Sequence, residues 1–517
     1  MKTLERNSTR TLDSRNGEAD ICVFVEGTYP YVTGGVSAWL HHLITNLPEF
    51  TFAIFHLGSK PEPGRAFKYK LPINVISFQE MFLSNYGALH GSPRSSRPSK
   101  DWEGLKEFHE ALSEGKMEEA VEMLRANFVQ GAGPRVVSEF IYSEEAWKAL
   151  VERYYAHAPS APFLDYFWTF RSTHLPIFTL NDTTFPRAKL YHAVSTGYAG
   201  YAAALAKLQH GSPMLITEHG IYTRERDMEI ALSSTIDEPP AHKFQLDPQA
   251  GLFKTWWTDM FRFISRFAYE VADSIISITG TNQQYQLRDG ADPSKLRLVS
   301  NGIDVERFQN LNVERRANSN GFTVGFVGRV VPIKDVKCFI QAIKIANAEI
   351  AGLEALIIGP TDEDPEYFSE CQQLTGLLDM DGIINFTGRA NVFEYYPRMD
   401  VLVLTSLSEG QPLVILEANC AGVPVVASEV GACRDLLEGI TEDDKALGPS
   451  GLLTLPASPD QTAAAIIQLW KDKSLCQQMA RAGRQRVTKF YREDAVYAAY
   501  RDLYWSHIAL KQAEAKV

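Results

Sequence analysis

Cysteine is scarce in this chain and scattered. Cys22, Cys338, Cys371, Cys420, Cys433 and Cys476 are the six in 517 residues, with no CxxC pair. That spacing argues against a disulfide framework or a thiolate metal site, and the expected reading is reduced core residues in a cytosolic protein. No run approaches the ~20 consecutive apolar residues that span a bilayer. The first residues, 1–20, are polar and charged without an apolar h-region; they read as a loose tail and not as a secretory signal. Basic runs are missing too. With 51 Lys+Arg against 63 Asp+Glu the net charge is −12, and nucleic acid as the main partner needs clustered cations to neutralise phosphate. Neither a GxGxxG fingerprint nor a Walker GKS/T ending marks the glycine loops, which weakens the dehydrogenase and P-loop readings. No repeat of solenoid period is seen.

What is present is an ordinary globular composition, 45% hydrophobic and 22% charged, in a chain long enough for two or more domains. Ile21 to Glu26 is an apolar run of the buried-strand type. A Tyr/Pro loop, Gly34-Gly35 and a helical pattern from Val36 to Leu47 follow it. Further strands are expected at Phe52–Leu57, Ala188–Val194, Met214–Glu218, Ser274–Thr279 and Leu296–Ser300. A long helix is expected from about Trp256 to Val271. Residues from about 59 to 175 break the alternation and read as an insertion: a Ser/Pro/Arg loop at Ser92 to Lys100, a charged helical stretch at Asp101 to Asn127, and an aromatic stretch at Phe163 to Phe178. Asn301-Gly302-Ile303-Asp304 is a turn signal, and polar Asn310 to Asn320 reads as a linker.

The second half alternates regularly. Strands are expected at Thr323–Val327, Ala355–Ile358, Ile383–Phe386, Val401–Thr405 and Val423–Ala427, with helices between them. The class is therefore α/β, with doubly wound parallel sheets. The division is an N-terminal Rossmann-like domain over 21–310 and a C-terminal one over 311–490. An aromatic C-terminal helix over 491–517 is expected to pack back on the first domain. In open parallel sheets ligands bind beyond the carboxyl ends of the strands. The loops at Gly34, His219, Arg329 and Glu409 all follow expected strands, so they are expected to line one interdomain cleft.

The most telling segment is Ser408-Glu409-Gly410-Gln411-Pro412-Leu413-Val414-Ile415-Leu416-Glu417. It sets one carboxylate in a loop, a proline at a helix start and a second carboxylate inside the helix. Proline suits the first turn, where its missing N–H costs nothing, and the free N–H groups with the helix dipole make a seat for a phosphate. Two acids beside such a seat suggest recognition of a sugar nucleotide through its hydroxyls. A paired-acid glycosidase is the rival use. Eight helical residues advance ~12 Å, whereas a retaining glycosidase needs its carboxyls ~5–5.5 Å apart, so the spacing favours two binding contacts. About eighty residues earlier, Arg329 and Lys334 put two cations in one strand-to-helix loop, suited to a departing diphosphate; the alternative is a pair of surface ion pairs. A lone His219 after a strand reads first as structural. Tyr29, Tyr31 and Trp39 stack on sugar or pack in the core. Arg224 and Arg226 are structural or acceptor-facing, and the Phe163–Phe170 cluster is core or a partner contact.

Gly328-Arg329…Lys334-Asp335, Asn301-Gly302-Ile303-Asp304, Gly388-Arg389 and the Glu409/Glu417 spacing together resemble the retaining glycosyltransferases of family GT4, with the GT-B fold. Glu26-Gly27-Thr28-Tyr29-Pro30, Thr217-Glu218-His219-Gly220-Ile221-Tyr222 and the long insertion resemble the PelF branch, cytosolic glycosyltransferases of Pel exopolysaccharide synthesis. The resemblance implies that Arg329 and Lys334 contact the donor diphosphate, Glu409 the donor sugar and Glu417 the ribose. The N–H groups near Gly410, Leu413 and Val414 meet phosphate or sugar, and Gly388-Arg389 meet the base. Gly34 and Gly35 allow close backbone approach, and His219 stands near the reacting sugar, with His192 a weaker candidate. It implies a hexose or N-acetylhexosamine moved from a UDP-sugar to a growing polysaccharide with retention, without cofactor or metal. It also implies a cytoplasmic protein, not itself membrane-spanning, that docks to inner-membrane synthase partners. Two alternatives stand beside it: a nucleotide-sugar epimerase on the same fold, and a non-catalytic UDP-sugar-binding subunit.

Overall fold

The computed structural model describes residues 18–62, 64–84, 143–232, 251–309 and 321–514, with Leu311 and a few residues between 107 and 123. The Ser92–Lys100 loop, most of the Asp101–Asn127 helix and nearly all of the 310–320 linker lie outside these residues. The chain divides into two units. Unit 1 comprises the residues up to Ser277, Gln283–Arg297 and the residues from Arg501; unit 2 comprises Ile278–Asn282 and Leu298–Tyr500.

Unit 1 is built on a sheet of seven strands: β1 Ala19–Glu26, β2 Phe52–Gly58, β3 Val75–Phe82, β4 Ala188–Ala193, β5 Met214–Glu218, β6 Ser274–Ser277 and β7 Leu296–Leu298. Their order is β3-β2-β1-β4-β5-β6-β7. The pairings from β3 through to β6 are parallel. β2 and β5 are buried along their whole length, which is why they read from sequence as mostly apolar runs. The alanine-rich helix Tyr198–His210 packs on β1, β4 and β5, with Ala199 and Ala202 to Ala206 fully buried. Its small side chains let the helix pack close to the sheet.

Unit 2 repeats the plan with six strands: β8 Phe322–Val327, β9 Leu353–Ile358, β10 Ile384–Gly388, β11 Val401–Leu404, β12 Val425–Ser428 and β13 Gly451–Thr454. The order is β10-β9-β8-β11-β12-β13, parallel throughout. In both units the winding reverses beside the first strand, between β1 and β4 and between β8 and β11. These are the switch points at which doubly wound sheets take their ligands.

Three readings from sequence differ from the structure. β1 starts at Ala19, inside the stretch read as a tail. β3 lies within the stretch read as an insertion yet is the edge strand of the main sheet, in register with β2 from Phe52↔Val75 to Gly58↔Phe82. Its Ser, Gln and Glu positions hide it, because an edge strand is buried less completely than its neighbours. β13 was not expected; four residues starting at a glycine give too short a pattern. The last helix, Glu493–Glu514, passes from unit 2 into unit 1 at Arg501. There Tyr504 is fully buried and its hydroxyl lies 2.8 Å from His192 Nδ1, while Trp505 stands 4.7 Å from the Phe50 ring. His192 is thus the anchor of the returning helix.

Candidate functional site

The switch point of unit 2 gathers most of the residues singled out above. β8 runs into Gly328, against which Gly359 packs backbone to backbone: at φ +150° a Cβ there would lie 2.0 Å from the Gly328 carbonyl oxygen. The chain then makes a tight turn at Pro332–Lys334, and Asp335, at φ 45°, caps the helix Val336–Asn347 by accepting the Cys338 N–H. The loop after β11 is tied to this turn. The Thr405 hydroxyl donates to the carbonyls of Lys334 and Asp335 at 3.1 and 2.9 Å, and Leu407 N–H donates to Ile333 at 2.9 Å. Lys334 Nζ reaches Glu409 Oε1 at 2.5 Å, with the two side chains only 19% and 11% exposed. The cation expected at the diphosphate and the carboxylate expected at the sugar therefore hold each other.

The Glu409 loop is shaped from behind. Gly431 sits at φ +53°, and a Cβ there would lie 2.0 Å from the Glu409 carbonyl oxygen. Ala432 N–H donates to Gly410 at 2.9 Å. Gln411 is buried and reads the Asn301 backbone twice, accepting its N–H at 2.7 Å and donating to its carbonyl at 3.2 Å. The helix Leu413–Ala421 follows with Pro412 at its N-cap and no side-chain cap, and ends at Gly422 in the left-handed region. Its first-turn N–H groups, around Leu413 and Val414, lack intrahelical partners. Glu417, in the next turn, accepts the hydroxyl of fully buried Tyr396 at 2.6 Å. Burial pushes its carboxyl above the usual range, against the pull of Tyr396 and of Arg307.

Arg329 and Arg389 point elsewhere. Arg329, 53% exposed, pairs with Glu363 at 2.9 Å, and Arg389, 67% exposed, with Asp362 at 3.6 Å. Gly388, before Arg389, sits at φ +68°. Both guanidiniums are thus tied to the loop after β9. Four residues of this site were missed in the sequence: Tyr396, Gln411, Thr405 and Gly431. Only Gln411, inside the Glu409 segment, carried a local signal.

In unit 1, Gly34 and Gly35 begin the helix Gly35–Thr45 in an open loop, where a Cβ on either would meet nothing within 4 Å. Neither glycine is required by the fold. His219 stands just past β5, with the Trp39 ring edge-on at 4.5 Å; desolvation pushes its imidazole down to about 4, so it is neutral near pH 7. Trp39 is half-buried, whereas Tyr29 and Tyr31 are core residues. Arg224 lies over the Tyr285 ring, and Arg226 pairs with Glu229 at 2.8 Å. In the Phe163–Phe170 stretch Tyr166 and Phe170 are buried, while Leu164 and Trp168 are exposed. Five cysteines are buried and Cys476 is half-buried, all as free thiols. Among the described residues no three His, Cys, Asp or Glu side chains form a metal-binding group, and no helix is long and apolar enough to cross a membrane.

The two switch points differ in one respect. In unit 1 the helix after the fourth strand has its first N–H, that of Tyr198, bonded to the Glu26 carboxylate at 2.9 Å. The chain's own Glu26 carboxyl group occupies that helix start. In unit 2 the helix after the corresponding strand, Leu413–Ala421, has no such cap. The helix start is bare in unit 2 and carries a carboxyl group in unit 1.

Two Rossmann-like units, with strand-end loops carrying a Lys–Glu pair, a bare helix start and a buried Glu–Tyr pair, define a doubly wound α/β protein. Residues 19–294 match a family described as a domain of unknown function (DUF3492), and residues 321–472 match glycosyl transferases group 1. The chain belongs to the DUF3492 family, and its second unit matches the glycosyl transferases group 1 model. D-inositol 3-phosphate glycosyltransferase of Kribbella flavida is 29% identical over 228 residues, 41% of this chain and 52% of its own length. The capsular polysaccharide biosynthesis glycosyltransferase CapM of Staphylococcus aureus is 26% identical over 222 residues, 42% of this chain and 55% of its own. The chain spans about half the length of the curated relatives it matches. Among solved structures, Anabaena HepE in complex with UDP and glucose aligns over 95% of this chain and 100% of its own at TM-score 0.55 and 15% identity. Sucrose-phosphate synthase from Thermosynechococcus elongatus aligns over 95% and 99% at TM-score 0.57 and 18% identity. These two establish the fold.

Proposed function

We propose that the protein is a retaining glycosyltransferase that moves a hexose or N-acetylhexosamine from a UDP-sugar to a growing exopolysaccharide of the Pel type. The observation that carries this is the Lys334–Glu409 pair beside the uncapped start of the helix Leu413–Ala421 at the unit 2 switch point. The diphosphate takes the free N–H groups and a share of Lys334, with Arg329 leaving Glu363 to join it. Glu409, relieved of part of its ion pair, accepts donor-sugar hydroxyls, and Glu417, oriented by Tyr396, accepts those of the ribose. Arg389 and Gly388 meet the base. Within unit 1, His219 is neutral and able to hydrogen-bond a sugar hydroxyl, and the Gly34-Gly35 loop leaves its backbone open to close approach.

The bond from the anomeric carbon to the diphosphate oxygen breaks as the acceptor oxygen bonds to the same face of that carbon. The acceptor proton passes to the departing diphosphate oxygen, so no separate general base is called for. Lys334, Arg329 and the helix N–H groups offset the developing charge without a metal or cofactor. HepE was solved with UDP-glucose, which supports a UDP-sugar donor, and CapM, by its name a capsular polysaccharide glycosyltransferase, supports a polymer acceptor. The protein works in the cytoplasm, docked to inner-membrane synthase partners. Arg329, Lys334 and Glu409 changed singly to Ala test this: transfer and UDP-sugar hydrolysis both fall, and unaltered rates in folded variants would sink the assignment.

A further inference from the structure

Glu26 ends β1, and its carboxylate joins three elements of unit 1. One oxygen accepts Tyr198 N–H at 2.9 Å, at the start of the helix after β4. The other accepts the Tyr222 hydroxyl at 3.1 Å, three residues beyond His219. The Arg226 guanidinium lies 5.1 Å from the Tyr222 ring centre and draws the Glu26 carboxyl toward its charged form. This arrangement is built into the sequence at a second place. A Cβ on Gly197 would fall 2.2 Å from the Tyr222 ring, so only glycine there lets the ring lie across the helix start and reach Glu26. The residue before His219 is pinned as well. Buried Glu218 accepts hydrogen bonds from Tyr269 at 2.5 Å, Gln286 at 2.9 Å and Thr196 at 3.0 Å. His219 therefore sits on a five-residue span clamped at both ends, with its ring against Trp39.

We propose that Glu26 is a positioning residue for His219. Through the Tyr222 hydroxyl it fixes the loop after β5, so that the imidazole is held against Trp39 and presented at the strand ends. This rests on the reading of His219 as the side chain near the reacting sugar. The titratable and charged groups around the loop are Glu218, Glu225, Arg226 and Glu26, with His192 also packed against Trp39 and close enough to His219 to feel its charge. None of these is removed by the variant that decides the question, Tyr222→Phe, which deletes one oxygen.

The experiment follows the His219 ring by NMR through a pH titration of the full chain, with the resonance assigned from His219→Gln. In the parent the ring titrates near 4, because it is desolvated. In Tyr222→Phe the loosened loop admits water, and the midpoint is expected to rise by about one pH unit or more toward the ordinary value. Gly197→Ala, which pushes the same ring aside, gives the same shift. Glu26→Gln, which keeps an acceptor for the hydroxyl, shifts it less than Glu26→Ala. Transfer assays on Tyr222→Phe give kcat lowered about tenfold with donor KM within about twofold, the pattern of a group that acts in the transition state. An unmoved His219 midpoint in folded Tyr222→Phe overturns the proposal. A midpoint that moves while His219→Gln transfers normally keeps the positioning role and overturns the reading of His219 instead.

Discussion

The Lys334–Glu409 pair sets the strongest expectation. At contact distance and an effective dielectric of about 20 the attraction between two unit charges is about 5 kcal/mol. Both side chains are mostly shielded, at 19% and 11% exposure, so desolvation offsets much of this and leaves a net coupling of about 1–3 kcal/mol. Lys334→Met leaves a shielded carboxylate unpaired, and Glu409→Gln leaves a shielded ammonium. Each single change should therefore destabilise the protein, and the double change should cost less than the sum of the two. Urea unfolding of the parent, both singles and the double measures this directly. Repeating the cycle with saturating UDP tests the functional reading, since a diphosphate that recruits Lys334 weakens the pair and lowers the coupling. A coupling below about 0.5 kcal/mol without ligand would show that the charges do not hold each other, and a coupling unchanged by bound UDP would show that Lys334 does not turn to the diphosphate.

Other outcomes follow from the same geometry. Gly35→Ala should leave the melting temperature unchanged, because its Cβ meets nothing, yet lower transfer; Gly431→Ala should cost about 1–3 kcal/mol, since its φ is +53° and its Cβ would strike the Glu409 carbonyl. Asp444→Ala strands Arg486, which is fully buried and bonded to Asp444 at 2.6 Å, and should cost about 3–5 kcal/mol in chemical denaturation. Acid should unfold the protein early. The buried His192 imidazole is pushed down to about 3, by burial first and then by His219. A depressed imidazole contributes stability that is complete above the unfolded value near 6.5 and is lost as pH falls toward the folded value. At pH 5 His192 should have forfeited about 2 kcal/mol, so denaturation midpoints should fall steadily from about pH 6.5 downward.

Much of this architecture is legible in the sequence because buried parallel strands are unbroken apolar runs. β5 is read to the residue, and β8, β9 and β11 to within two. β3 was lost because an edge strand tolerates Ser77, Gln79 and Glu80, and β13 because it is only four residues long. The Lys334, Glu409 and Glu417 loops were found from local spacing. Their partners were not, since Tyr396 reaches Glu417 across 21 residues and Gln411 reaches Asn301 across 110. Contacts made only by folding leave no period in the chain. The outward turn of Arg329 and Arg389 to Glu363 and Asp362 was equally hidden, because exposed cations take whichever acid the neighbouring loop offers. Glu26 drew notice as part of a motif, but its place at a helix start appears only once β1 and β4 lie side by side.

The central claim is that unit 2 grips a UDP-sugar through Lys334, Glu409, Glu417 and a bare helix start. Calorimetry of the full chain against UDP-, GDP- and ADP-sugars, repeated with Lys334→Ala and Glu417→Gln, tests it most directly. One UDP-sugar is expected to bind per chain in preference to the others, with each substitution weakening it at least about tenfold, or 1.4 kcal/mol. Equal affinity for all three nucleotides, or UDP-sugar binding untouched by both substitutions, would contradict it.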